Sequence, residues 1–181
     1  MGGLANLAIG VKLKSKRPDA LQRTLLYNKF PSAIELLKSL ALYPVYIAIS
    51  LAATYLLSVA FSSFDATQAQ TTGFMPGSLS SLGIGLGLVI IALVIVAPIA
   101  EEFLFRGYLY SRLRKVLSFK WTVSLVSGVF GVMHGQPNII IDAFLLSVAL
   151  CYVREKTGTV WAGVALHILK KAIGVSLIFI L

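Results

Sequence analysis

Five apolar runs succeed one another along this chain, at about 39–61, 82 to beyond 100, 121–133, 139–153 and 160–181, separated only by short polar breaks. A helix needs ~20 apolar residues to cross a bilayer core, so runs of this length and order predict a helical membrane bundle of about five spans. Composition agrees. Hydrophobic residues make up 57% of the 181 and charged residues 13%, with a mean hydropathy of +0.87, too few charges to cover a water-soluble domain. No apolar–polar alternation of strand period competes, and the fold class is all-α and polytopic. Segments 64–81, 135–138 and 155–159 carry Gly, Pro, Ser or Asn and read as loops and turns.

The formal charge of +9 by itself suits a nucleic-acid partner. The basic residues nevertheless crowd beside apolar runs, where they orient a membrane protein and meet anionic headgroups, so the expected partners are lipids and no nucleic acid. Lys12, Lys14, Lys16, Arg17, Arg23, Lys29 and Lys38 precede the first span. Five more fall at 106–120, Arg154 and Lys156 sit in the last turn, and the loops at 64–81 and 135–138 have none. This alternation predicts a cytoplasmic N-terminus and a C-terminus on the opposite side. It also divides the chain into a basic interfacial helical segment, 1–38, and a transmembrane bundle, 39–181. The first residues show neither a signal-peptide nor a myristoylation pattern. The single cysteine, Cys151, excludes an intrachain disulfide and a cysteine-rich metal site.

An ionisable side chain at membrane depth costs at least ~2.5 kcal/mol, so each one in a span asks for a partner or a function. Glu101, Glu102, Arg106, His134, Asp142, His167, Lys170 and Lys171 stand in such positions, both histidines of the chain among them. At ~1.5 Å of rise per residue, Glu101 lies ~21 Å from Lys115, His134 ~20 Å from Trp121 and His167 ~12 Å from Thr159, depths close enough for the three to meet. Glu102 and Arg106 are spaced for an ion pair on one helix face. Pro98, three residues before Glu101, is expected to kink that helix and open room for water. Gly83 with Gly87, and Gly131 with Gly135, form small-residue pairs suited to close helix contact. Asp142 reads as a polar cap near the noncytoplasmic interface in preference to a fourth member of the site, and Lys170 as a snorkelling or cavity-facing cation.

Two carboxylates, two imidazoles and water suffice for hydrolysis: a carboxylate takes the proton of water, an imidazole relays it, and a donor holds the oxyanion. Glu101, His134 and His167 are equally of the ligand types that hold a zinc ion, and spacing alone does not choose between these. A purely structural ion-pair network is the third reading.

The run Glu101-Glu102-Phe103-Leu104-Phe105-Arg106, followed by Gly107, resembles the EExxxR signature of the CAAX protease and bacteriocin-processing (CPBP) family of intramembrane proteases, which includes the type II CAAX prenyl endopeptidases. Phe130 to His134 is similar to its FxxxH motif, and His167 opens a third motif that in the family ends in Asn or Asp, where this chain has Lys171. The resemblance implies an intramembrane endopeptidase acting on a peptide or membrane-anchored protein substrate: prenylated CAAX tails, or peptides and membrane-protein termini. It implies that Glu101, with His134, activates water, that Glu102 and Arg106 hold the carboxylate geometry, and that His167 helps bind the oxyanion, with Phe130 packed beneath. Lys171, one turn from His167, then donates to the oxyanion, pairs with a glutamate or abolishes activity. A noncatalytic membrane scaffold or immunity protein, keeping the polar cluster to bind a peptide or partner, is the rival reading; it requires Lys171 to enter the cluster as an ion pair. A proton-coupled carrier is disfavoured because internal repeats are missing.

Overall fold

A computed structural model describes residues 29–65 and 84–180, the side chains of Ile84 and of 178–180 excepted. Among these residues every regular element is a helix. Helix α1 covers Ala33–Ala60, with a break at Ala41 between Ala33–Leu40 and Leu42–Ala60. Helix α2 covers 84–113, α3 Phe119–Val132, α4 Pro137–Thr157 and α5 Trp161–Ile180. Three helical stretches, Ala33–Ala60, Gly85–Leu113 and Pro137–Thr157, are long and apolar enough to cross a membrane; α3 is a shorter apolar helix. The chain is a polytopic helical membrane protein.

The first helix begins before the apolar run that announces it. Ser32 caps Ala33–Leu40: its hydroxyl accepts from the Glu35 N–H at 3.3 Å while the Glu35 carboxylate accepts from the Ser32 N–H at 2.8 Å. This reciprocal pair satisfies two N-terminal donors and moves the helix start back to Ala33, within the segment read as interfacial. Of that segment, residues 1–28 lie outside the described residues, as do most of the loop at 64–81 and Gly83.

Helix α2 runs without interruption past the carboxylates, but not as a plain α-helix. Ala92–Val96 and Phe103–Leu109 are π-helical turns. The first meets the demand of Pro98, for which the sequence predicts a kink: in an α-helix its ring collides with the carbonyl of Val94. Here the preceding turn is wide, and Ala97 N–H bonds to the Ala92 carbonyl, five residues back.

Helix α4 is central. Its Ala143 and Cys151 pack with Phe105, Tyr110, Val123, Val126 and Phe130 of α2 and α3, while Leu146, Leu150 and Val153 pack with Tyr46 of α1 and Ala162 and Leu166 of α5. Leu88, Leu125, Val129, Tyr152 and Leu177 are exposed and form part of the lipid-facing surface. Lipid is as apolar as these side chains, so close packing holds the helices together. A Cβ on Gly131 would stand 2.8 Å from the Ile140 carbonyl oxygen, so this glycine sets the approach of α3 to α4. Its expected companion Gly135 does not pack; at φ 78° it makes the turn after α3, a conformation glycine adopts without a Cβ penalty. Gly87 likewise faces open space, because its surroundings on α2 are lipid-facing.

Lys29, Arg114 and the α4–α5 turn lie at one end of the bundle. Lys29 Nζ donates to the Thr157 carbonyl at 2.7 Å, and the Thr159 hydroxyl donates to the Lys29 carbonyl. Arg114 Nη2, just past α2, pairs with Glu155 at 3.0 Å. Residue 29, the α2–α3 connection and the α4–α5 turn therefore share a face, as the alternation of charge requires.

Candidate active site

Helix α2 delivers Glu101, Glu102 and Arg106 from adjacent turns. Glu102 and Arg106 are both fully buried, and Arg106 Nη1 donates to Glu102 Oε1 at 3.0 Å. From α5, His167 places its Nδ1 at 3.0 Å from the same oxygen. A carboxylate oxygen there accepts, so Nδ1 carries the proton, which leaves Nε2 of a neutral ring as an acceptor. Nε2 stands 3.7 Å from Glu101 Oε2, longer than a hydrogen bond. That Glu101 oxygen is buried and has no hydrogen-bond partner among the described residues. Gly163 admits α5 to this contact, since a Cβ there would lie 3.0 Å from Glu102 Oε2.

Phe130 floors the cluster. The Arg106 guanidinium lies 4.5 Å from its ring centroid, and the rings of His134 and His167 lie 5.0 and 6.1 Å from it. His134 follows the end of α3, and its Nδ1 is 2.7 Å from the Phe130 carbonyl, which can only accept. Nδ1 therefore donates there, which leaves Nε2 for contacts on the cavity side. Both imidazoles line a cavity of about 280 Å³, together with Ser50, Asp142, Lys170 and Lys171.

The structure brings the expected residues into one neighbourhood with two departures in pairing. His167 stands beside Glu101; His134 makes no hydrogen bond or ion pair with it among the described residues. Asp142 is no helix cap, since α4 begins at Pro137 after Gln136 and Asp142 lies more than a turn inside. Its carboxylate accepts from the Tyr46 hydroxyl and, at 2.7 Å, from Ser50 Oγ, and pairs with Lys170 Nζ at 2.9 Å. Lys170 is accordingly a cavity residue held by a carboxylate. Lys171 also lines the cavity and makes no ion pair within 4.0 Å among the described residues. Sequence reasoning takes Tyr46 only as an interface or core residue and passes over Ser50 and Thr54, yet their spacing of four residues along an apolar run marks a polar stripe on one face of α1. Among the described residues no three His, Cys, Asp or Glu side chains gather as a metal-ligand set. Of the three residues read as possible zinc ligands, His134 and His167 each hold Nδ1 in another contact and keep Nε2 for the cavity side, and Glu101 approaches only His167.

The family model described as type II CAAX prenyl endopeptidase Rce1-like matches residues 83–173, half of the chain. The chain belongs to this Rce1-like family. Neither a curated protein nor a solved structure matches it. The matched segment carries every charged and imidazole residue of the Rce1-like cluster from Glu101 to Lys171, whereas Tyr46 and Ser50, which hold Asp142, come from α1 outside it.

Proposed function

We propose that this Rce1-like chain is an intramembrane endopeptidase in which Glu101 is the general base. The observation that carries this reading is the 3.7 Å separation of the unpartnered Glu101 Oε2 from His167 Nε2, an imidazole whose tautomer is fixed by the buried Glu102–Arg106 pair. Two acceptors at that spacing suit a single water donating to both. Glu101 takes one proton of the water as its oxygen attacks the carbonyl carbon of the peptide. The same proton then passes to the departing nitrogen as the C–N bond breaks, so that an acid and an amine leave and Glu101 is restored.

His134 and His167 contact the reacting groups, while Glu102 and Arg106 act through His167 and are positioning residues. Because both imidazoles commit their Nδ1–H to fixed acceptors, the donor to the oxyanion falls to Lys171, whose ammonium has three N–H groups and lines the same cavity. The substrate is a peptide or a membrane-anchored protein terminus, reached from within the bilayer. An ion pair of Lys171 with the glutamates would favour the scaffold reading, and among the described residues none lies within 4.0 Å.

The test is cleavage of an internally quenched, membrane-anchored peptide by the purified protein in lipid nanodiscs. Glu101→Gln, which keeps the shape and removes the base, is expected to lower kcat by about 10²-fold or more. Equal turnover by the parent and Glu101→Gln would remove Glu101 from the mechanism, and no turnover by the parent on any peptide would favour the scaffold.

A further inference from the structure

A second cavity, of about 270 Å³, opens at the basic end of the bundle, among the last turn of α2, the residues following it and the α4–α5 turn. Its wall carries Arg114, Lys115 and Arg154 with the polar groups of Tyr110 and Ser111. The one carboxylate there, Glu155, is already engaged: it accepts from the Tyr110 hydroxyl at 2.5 Å and from Arg114 Nη2 at 3.0 Å. Two of the three cations remain without a carboxylate partner. Arg154 is only 6% exposed, and its guanidinium reaches the Arg106 carbonyl at 3.2 Å and Ser111 Oγ at 3.2 Å, with no carboxylate within 4.0 Å among the described residues. Lys115 has no ion pair among them either.

A buried guanidinium facing neutral acceptors retains most of the cost of its desolvation, and an anion entering the cavity would offset it. Monodentate and forked donors around one space, with an excess of positive charge, fit the oxygens of a phosphate. At ~30 Å³ per water the space equals about nine water molecules, ample for a phosphate group. Its place among the basic loops is the level of lipid headgroups.

We propose that this cavity binds a phosphate group through Arg114, Lys115 and Arg154. Its two available sources are the headgroup of an anionic phospholipid and free phosphate. Occupancy is linked to the cluster around Glu102, because Arg154 that faces the phosphate also holds the carbonyl of Arg106.

The experiment measures native-mass-spectrometric retention of lipid and thermal unfolding of the full chain, in detergent with added phosphatidylglycerol, phosphatidylcholine or inorganic phosphate. Phosphatidylglycerol, and not phosphatidylcholine, is expected to be retained as one molecule and to raise Tm, and Lys115→Gln to weaken this by about fivefold, the usual worth of one such cation at a membrane surface. Arg114→Gln is expected to act alike, and Lys115, the exposed member, keeps the test open if Arg114→Gln fails to fold. Displacement of the lipid by millimolar inorganic phosphate, with the same loss in Lys115→Gln, assigns the site to free phosphate within the same chemistry. Equal retention of phosphatidylglycerol by the parent and both variants, or no Tm response to either phosphate source, overturns the proposal.

Discussion

Breaking the buried pair beneath His167 should cost far more than erasing it. Glu102 and Arg106 have no exposed surface, and two donors, Arg106 Nη1 and His167 Nδ1, converge at 3.0 Å on the single oxygen Glu102 Oε1. Replacing either partner alone leaves a buried charge uncompensated, for which ~3–5 kcal/mol is typical. Glu102→Met leaves the guanidinium with only the Phe130 ring it already faces at 4.5 Å, a contact unchanged by the substitution, so a loss within that range is expected. Arg106→Met leaves the carboxylate, whose Oε2 already has no hydrogen-bond partner, and is expected near ~4 kcal/mol. The double variant exchanges both charges for apolar volume and should lie within ~1–2 kcal/mol of the parent, a coupling of several kcal/mol. The assay is reversible unfolding in mixed micelles by increasing SDS, read by circular dichroism, with peptide cleavage measured in parallel. Stability should return in the double variant while activity does not, because His167 Nδ1 has lost its anchor and a misplacement of ~1 Å costs about 10²-fold. Additive losses in the double variant, or single losses below ~1 kcal/mol, would refute the account of the pair.

Lys171→Leu is expected to lower kcat by about 10²-fold with KM little changed, whereas Lys171→Asn, which keeps an N–H donor, stays within about tenfold of the parent; equal kcat in parent and Lys171→Leu removes the lysine from oxyanion binding. Gly131→Ala forces a Cβ to within 2.8 Å of the Ile140 carbonyl oxygen and should destabilise the bundle by ~1–3 kcal/mol in the same unfolding assay, while Gly87→Ala, facing open space, should be neutral or slightly stabilising. With Cys151 buried, Ser63→Cys should react with an impermeant maleimide on intact cells and Ser118→Cys only after permeabilisation, and the reverse pattern would invert the orientation proposed from the loop charges.

Periodicity and charge made the helices and the polar residues readable, because both signals are local. Glu102 and Arg106 meet as their four-residue spacing requires. The pairing of imidazoles with carboxylates was not readable, since it depends on rotation of α2 about its axis, and two π-helical turns displace that rotation from the 3.6-residue period. Asp142 was misread for another reason: its partners Tyr46 and Ser50 lie more than 90 residues earlier in the chain, and only tertiary packing brings α1 to α4. The small-residue pairs failed at Gly135 and Gly87 because glycine marks positive φ and lipid-facing surface as readily as close contact. The capping box of Ser32 and Glu35 was visible as a motif, but its place inside a basic stretch concealed it.

The wide turn at Phe103–Leu109 gives α2 two independent angular settings. On its near side Glu102 is indexed to α5 through His167; on its far side Tyr110 N–H bonds five residues back to Phe105, and the Arg106 carbonyl, freed from that N–H, accepts from Arg154 of α4 instead. Five residues span the turn from Phe105 to Tyr110 where an α-helix uses four, so deleting one of them would restore the ordinary helix and keep Tyr110 and Arg114 facing Glu155, whereas the same deletion in a regular turn would swing them by ~100°. The extra residue acts as a phase adjuster between two docking faces. A one-residue deletion between Glu102 and Tyr110 is therefore expected to preserve both docking faces, and a one-residue insertion or a second deletion there to break one of them.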